Sequence, residues 1–552
     1  MTQTTAKNIR IGGGRSTTGC LTCRTRRVKC DETWPQCQKC ARFNRVCQYP
    51  ESSPAAKTGR SSPIRFINYV PLAGYSQLSG RSSPLSSFES RALEFFQLRT
   101  VSALNYPFTS QIWSRHILLV SHYEPAIKHA VIALSSLHEL FLANGNLEDD
   151  TAEVESATKH YAKAIKLVVD SDFVQNDQAA DVALSTCILF TCYETLRGHY
   201  QSALSHVRSG VNVFAEVVSK QTTFNLWFAP PSLYQEVFCR LGTQLIEIGD
   251  ANFQSPSLGL SSFDQAIPQA FQSVESAAFT FDALTHSLLY LLHHAESLSA
   301  RPETPAEGQL QEIGAKQADL MNSYRQWCAS FQNMLDRHDR TFLSAEEENK
   351  WNSGTLILII WRTLMNILLQ INPTSGEMIW DQLDAEWRQV ISDCSKVVEL
   401  DRRKNHPNDP QTFTPTFTMS LGIIQGLWLV CVRSRNPIIR RGALDVLRDC
   451  RRREGVWDST ITALAAERII DMEEEAARRY HSATDESGGH LIDASDIPEH
   501  VRIGQIDPSF GPGRQARVRY TRVGGGNSLY TPGGFRSPGA SHGMTYEEVI
   551  RW

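Results

Sequence analysis

The sequence predicts a small metal-folded module, a polar linker, a large all-α domain and a mostly disordered C-terminal tail. Three observations lead there. Six of the thirteen cysteines fall between residues 20 and 47. From about 91 to 482, apolar residues recur at helical spacing, and alternating strand patterns are scarce. The stretches 51–90 and 483–552 are instead rich in residues that break or solvate a chain. With 552 residues, 41% hydrophobic and 21% charged, the chain can bury a sizeable core. The net charge of −4 hides an asymmetry: residues 1–60 carry +9 and the remainder −13. A basic head on an acidic body points to a polyanion as the partner of the head.

Residues 1–18 read as a disordered N-terminus, since "MTQTTAKNIRIGGG" has no apolar run of the kind a signal peptide needs. The module that follows, 19–50, contains "CLTCRTRRVKCDETWPQCQKCARFNRVC". Its cysteines run Cys20-x2-Cys23-x6-Cys30-x6-Cys37-x2-Cys40-x6-Cys47, so the two halves repeat with an offset of 17. A two-residue gap lets two thiolates of one turn reach a single ion at about 2.3 Å. One tetrahedral zinc needs four ligands and two need eight, so six cysteines close the count only if two thiolates bridge both ions. Symmetry makes the bridges equivalent residues, one from each half.

Three other readings compete. Disulfides suit a secreted mini-domain, but nothing here signals secretion. An iron–sulfur cluster takes four cysteines and has no use for the 17-residue symmetry. A zinc module that binds only protein is the remaining alternative, and the basic run "RTRRVK" argues against it. Seven basic and two acidic residues lie between 19 and 49. With six thiolates and two Zn²⁺ the module keeps about +3. So small a piece cannot build a hydrophobic core; metal binding must supply its folding energy, on the order of 10–16 kcal/mol for structural zinc in small peptides.

Residues 51–90 form the predicted linker, with 18 Ser, Pro or Gly in 40 positions and "GRSSP" twice, placing Ser62 and Ser83 before prolines. No heptads are sustained from 51 to 110. In the body, "EPAIKHAVIALSSLHELF" puts Pro125 in a first turn and Ile127, Val131, Leu134 and Phe141 on one face. "KHYAKAIKLVV", "LSTCILFTCYETL", "GHYQSALSHVRSGVNVF" and "NPIIRRGALDVLRDC" behave alike. Gly198, Tyr200 and Ala203 hint at helix-pair packing of the tetratricopeptide kind, though no period is sustained. The run 356–371 carries Arg362 and Asn366 near its middle and reads as a buried helix, not a membrane span. The seven cysteines outside the head sit singly in apolar surroundings, as small buried hydrophobes in a reducing compartment do. The tail, 483–552, holds twelve glycines and five prolines, and its basic patch 514–522 allows one or two short extended pieces.

No catalytic arrangement is visible. "GGGRSTTG" lacks the Lys-Ser/Thr of a phosphate loop, and "LHELF" has no second histidine. His286, His293 and His294 read as packed or surface histidines. Trp227, Trp361 and Trp428 read as core aromatics that would report a bound metabolite.

The cysteine stretch closely resembles the DNA-binding head of the fungal binuclear zinc cluster (zinc-two-cysteine-six) transcription factors: all six cysteines match, as do the basic run before Cys30 and Pro35 in the loop. The resemblance implies two short helices, one after each cysteine pair. It places one zinc on Cys20, Cys23, Cys30 and Cys37 and the other on Cys37, Cys40, Cys47 and Cys20, with a cis Trp34–Pro35 bond. It further implies that Arg26 and Arg27 reach bases of a CGG-like triplet in the major groove, where the arginine fork suits guanine. Arg24, Lys29, Arg42 and Arg45 fall at positions that contact phosphate or frame the helix. The body, from "SRALEFFQLRTVSAL" to "NPIIRRGALDVLRDCRRREGVWDS", resembles the helical regulatory region of the same family. The expected protein is a nuclear, non-enzymatic regulator of RNA polymerase II genes. It would bind duplex DNA with two Zn²⁺ ions, as monomer or homodimer, and work through co-regulators or the transcription machinery, without a membrane. The alternative is a zinc-dependent interaction protein without sequence-specific DNA binding.

Overall fold

The structure is a computed structural model. It describes residues 20–47 (apart from 27, 29, 32–35 and 44), 85–145, 147, 151–170, 178–219, 229–249, 253, 267–299, 307–337, 344–370, 376–405, 414–484, 491, 493–523 and 544–552. The chain divides into two compact units, Met1–Pro84 and Leu85–Trp552. The expectations for 1–18, for the linker up to Pro84 and for the Trp34–Pro35 bond lie outside the described residues. So do Ser62 and Ser83.

The first unit contains two five-residue helices, Leu21–Thr25 and Gln38–Arg42. Each begins inside a cysteine pair and contains its second cysteine, where the family resemblance implied a helix after each pair. Among the described residues of this unit, the buried ones are the cysteines themselves.

The second unit is predominantly helical, and its helices start and stop where local chemistry says they should. Ser86 and Glu89 form a reciprocal capping box on helix Ser87–Phe95: the Glu89 N–H donates to Ser86 Oγ at 3.2 Å, and the Ser86 N–H to Glu89 Oε2 at 2.9 Å. The body thus begins a few residues before 91. Pro125 occupies the first turn of helix Pro125–Asn144, and Gly145, at φ 74°, ends it in the left-handed conformation that glycine tolerates. Ile127, Val131, Leu134 and Phe141 are all buried. Thr151 caps Ala152–Val169, and Asn436 caps Pro437–Cys450 by accepting from the N–H groups of Ile438 and Ile439.

Helices Gln178–Arg197 and Tyr200–Ser219 pack as a hairpin around Gly198, so the helix pairing that Gly198, Tyr200 and Ala203 hinted at is realised there. Gly210 lets the Phe238 ring of helix Pro231–Ile248 press against the hairpin; a methyl there would collide with that ring. Further long helices, Val274–Ser299, Glu307–Arg337, Ala345–Gln370, Asp384–Asn405 and Ser459–Thr484, complete one continuous core, with Trp113, Trp327, Trp380 and Trp387 fully buried. Pro125–Asn144 and Ala345–Gln370 are long and apolar enough to cross a bilayer, yet most of each is buried in this core. The seven body cysteines are free thiols, five of them buried.

Two sheets depart from the all-α reading. Strands β1 (Thr416–Thr418), β2 (Arg452–Glu454) and β3 (Trp457–Asp458) form one inside the helical body, β1 parallel to β2 and β2 antiparallel to β3. Strands of two or three residues carry no readable period, and β2 hides three charged residues. Burying them works because Arg452 donates to Glu454 at 2.6 Å and pairs with Asp401, while Arg453 pairs with Asp458 at 2.8 Å.

The second sheet lies in the described part of the tail, and β5 falls in the basic segment 514–522 where short extended pieces were expected. Strands β4 (Ile503–Phe510), β5 (Gln515–Arg522) and β6 (Thr545–Arg551) form an antiparallel sheet in the order β4-β5-β6. Ala516, Val518 and Tyr520 point one way into the main core, and Arg517 and Arg519 point the other way, to Glu547. Arg517 and Arg519 of the basic patch therefore form the outer face of a central strand, while Arg514 donates to the Arg197 and Leu147 carbonyls of the helical body. The strand's alternation was readable, but its neighbours hold a Gly-Pro-containing strand on one side and a sequence-distant one on the other.

A buried ion network holds β4 to the helices. Arg435 donates to Glu377 at 2.8 Å, to Glu473 at 3.1 Å and to the Ile503 carbonyl at 3.1 Å. Arg440 donates to the other Glu473 oxygen at 2.7 Å. Arg502 forks onto Asp381 at 2.8 and 2.7 Å.

Candidate metal centre and nucleic-acid interface

The cysteine module repeats its geometry as it repeats its sequence. The Cys23 N–H donates to Cys20 Sγ at 3.3 Å, and 17 residues on the Cys40 N–H donates to Cys37 Sγ at 3.3 Å. The Val28 N–H meets the Cys23 carbonyl at 3.1 Å, and the Arg45 N–H meets the Cys40 carbonyl at 3.0 Å. Thus the first cysteine of each pair sits before a short helix and receives an amide from it. Asp31 adds a support across the connecting loop, accepting from the N–H groups of Gln38 and Lys39 at 2.9 and 3.1 Å. Thr22 Oγ1 donates to the Val46 carbonyl at 2.8 Å and joins the first half to the second.

The six sulfurs converge. Cys20, Cys23, Cys30 and Cys37 form one group and Cys20, Cys37, Cys40 and Cys47 another, each with its sulfurs within 4.8 Å of one another. Cys20 and Cys37 belong to both groups. The Cys20–Cys37, Cys20–Cys40 and Cys23–Cys37 separations are 3.7, 3.7 and 3.6 Å. Thiolates bound at about 2.3 Å to one tetrahedral zinc stand about 3.8 Å apart, so the donor set fits that ion in size as well as in chemistry. The fit extends to charge. Burial raises the Cys20, Cys23, Cys40 and Cys47 thiols above their ordinary value. Burial also opposes ionisation of Cys37, but the Cys40 amide and the neighbouring thiols outweigh it and bring Cys37 down to about 6. A cage of this kind keeps most of its protons until a cation replaces them.

The basic residues divide. Arg26 is half-buried, its guanidinium 5.1 Å above the Phe43 ring. Among the described residues, one of its nitrogens, Nη1, is buried without a hydrogen-bond partner. Arg42 and Arg45 are exposed. Arg24 lies on the helix Leu21–Thr25, whereas Arg27 and Lys29 lie outside the described residues. The Arg26–Phe43 stacking was not foreseen; Phe43 stands three residues beyond a cysteine, and only the folded halves bring it to Arg26.

Elsewhere, His286 and His138 are packed, and His293 and His294 are half-buried. His286 Nδ1 lies 3.1 Å from Thr243 Oγ1, and His138 Nδ1 3.0 Å from Thr100 Oγ1. Trp361 and Trp428 line a cavity of about 50 Å³ that shares Glu247, Trp428 and Trp457 with a second of about 90 Å³ under β4 and β5. Trp227 lies outside the described residues.

Comparison with known proteins agrees with this centre. Residues 18–56 match the fungal Zn(2)-Cys(6) binuclear cluster domain, and the module binds two zinc ions. The chain is similar along nearly its whole length to the aspercryptin biosynthesis cluster-specific transcription regulator atnN of Emericella nidulans. That alignment is 28% identical over 608 residues and covers 92% of this chain and 94% of that protein. Shorter similarities link it to the transcription regulator lscL of Purpureocillium lilacinum, 25% identical over 37% of this chain and 50% of that protein. The Zn(2)-C6 fungal-type transcription factor afumD of Aspergillus fumigatus is 34% identical over 24% of this chain and 35% of its own length. No solved structure matches the chain.

Proposed function

The chain belongs to the fungal zinc cluster transcription factors, and from that premise we propose that it is a nuclear regulator of transcription that reads CGG-like triplets in duplex DNA. The observation that carries the proposal is the pair of four-sulfur groups sharing Cys20 and Cys37, together with the basic run "RTRRVK" between the second and third cysteines. In this reading Cys20, Cys23, Cys30 and Cys37 hold one zinc, Cys37, Cys40, Cys47 and Cys20 hold the other, and the shared thiolates lock the two halves at a constant angle. The zinc ions supply folding energy and no chemistry on DNA.

In this reading Arg27 contacts base edges in the major groove. Arg26, whose guanidinium stacks on Phe43, is the second base contact of the first half. Arg24, Lys29, Arg42 and Arg45 add phosphate contacts that strengthen binding without selecting sequence. The large helical unit regulates output through co-regulators or the transcription machinery and performs no catalysis. In vitro selection of random duplex DNA by full-length, zinc-loaded protein tests this. Enrichment of CGG-like triplets, single or paired at constant spacing, is expected and reports monomer or dimer. A folded, zinc-loaded protein that enriches nothing would favour a zinc-dependent protein-binding module.

A further inference from the structure

Outside the cysteine module, three helices of the body bring together a second donor set. Glu89 lies in Ser87–Phe95, His129 in Pro125–Asn144 and His160 in Ala152–Val169. One carboxylate oxygen and one ring nitrogen of each histidine all lie within 4.8 Å of one another. The two Nδ1 atoms are 2.9 Å apart, and the rings are tilted by 41° with centroids 5.0 Å apart, so their nitrogens converge. We propose that Glu89, His129 and His160 form a binding site for a third divalent transition-metal ion, zinc in the first instance, held by two imidazoles and one carboxylate.

The donor chemistry suits such an ion, because imidazole with carboxylate is a recurrent set for zinc and its neighbours and leaves a position for water. At metal–nitrogen distances of about 2.0–2.1 Å, nitrogens 2.9 Å apart subtend an angle of about 90°, and a small opening of the rings reaches the tetrahedral value. The ligands are also held in place. The Ser86 N–H and Oγ both donate to Glu89 Oε2, at 2.9 and 3.0 Å, and orient the carboxylate. Phe88 stacks on the His160 ring, with centroids 5.7 Å apart and planes within 25°. His129 is buried, and Glu89 and His160 are half-buried, so the ion has a path from solvent. Burial, helped by Lys163, brings His129 down to about 4, and burial likewise lowers His160; both rings are neutral at pH 7, the form that ligates. Without an ion, one Nδ1–H donates to the other Nδ1. With one, each ring carries its proton on Nε2.

The consequence is mechanical. Helix Ser87–Phe95 is the first element of the second unit, and an ion on this site ties it to two helices deeper in the body. The site uses no residue of the cysteine module, so the two proposals fail separately.

The test is metal stoichiometry in the full-length protein, stripped with chelator, reloaded with Zn²⁺ and dialysed. Three zinc ions per chain are expected for the unmodified protein, two for Glu89→Gln and two for His160→Ala. Cys20→Ser should keep one ion, and its Co²⁺ form should show weak visible bands without the strong near-ultraviolet thiolate-to-cobalt absorption. Because His129 is buried, the partly exposed Glu89 and His160 carry the test, and circular dichroism confirms that those variants fold. Two ions in the unmodified protein, or a third ion that survives in folded His160→Ala, would overturn the site. So would a folded Cys20→Ser variant that binds no metal.

Discussion

Cys20 Sγ and Cys37 Sγ lie 3.7 Å apart, and these two cysteines, 17 residues distant in sequence, are the pair common to both four-sulfur groups. Each also accepts an amide from the second cysteine of its own pair. In the proposed zinc assignment each of these sulfurs lies between two ions, and a bridging sulfur has consequences that a terminal one does not.

Replacing a bridging cysteine should therefore cost more metal than replacing a terminal one. Cys20→Ser or Cys37→Ser is expected to abolish both cysteine-bound ions and unfold the module, whereas Cys47→Ser retains one ion at reduced affinity. Cobalt substitution of the full-length protein reads this directly as thiolate-to-cobalt absorption. Retention of both cysteine-bound ions in Cys20→Ser would refute the bridge.

On DNA, Arg27→Ala is expected to weaken binding by about 1–3 kcal/mol and relax selectivity at one base pair. Arg45→Ala should instead weaken all sequences alike and lower the salt slope by about 1. Binding isotherms on a selected site and its single-base variants, at several salt concentrations, separate the two behaviours. A uniform loss across sequences in Arg27→Ala would contradict its role as reader.

Glu473 organises the joint between sheet and helices. Its carboxylate accepts from Arg435 and Arg440 and, at 2.6 Å, from the Ile503 N–H. Burial alone would raise this carboxyl, but Arg435 and Arg440 hold it below the ordinary value. Glu473→Ala leaves the buried Arg440 without its ion-pair partner and Arg435 with Glu377 alone, and should destabilise the body by about 3–5 kcal/mol. Denaturant unfolding of the full chain measures it, and a loss below 1 kcal/mol would show that the network is incidental.

Glu247 should make stability fall as pH rises. Burial pushes its carboxyl up to about 8, against hydrogen bonds from Trp457 and Gln425 and with Asp282 adding a small push upward. Between about 4.5, its ordinary value, and 8, the folded state keeps a proton that the unfolded chain has released. The stabilisation is full below 4.5 and lost as pH climbs through 8. Melting temperatures at pH 5, 7 and 8.5 should fall in order, and Glu247→Gln should flatten the trend. An equal slope in the variant would assign the pH dependence elsewhere.

The sequence by itself determined the metal module and the helical character of the body. The metal module was legible because its folding information is local: cysteine spacings of two and six residues leave few ways to surround an ion, and the offset of 17 demands two equivalent halves. Helices such as Pro125–Asn144 and Pro437–Cys450 were legible for the same reason, since caps, first-turn prolines and 3.6-residue spacing act within a few residues of one another. Only the tertiary structure decided the rest. Ala516, Val518 and Tyr520 alternate with arginines, but the strand becomes a sheet only because β4 and β6 pair with it and the helical core covers one face. Arg26 meets Phe43, Glu473 meets Ile503, and Glu89 meets His129 and His160 across separations that no local pattern encodes. Such contacts form when distant elements bury a common surface, and a polar group in that surface must find its partner wherever the packing places one.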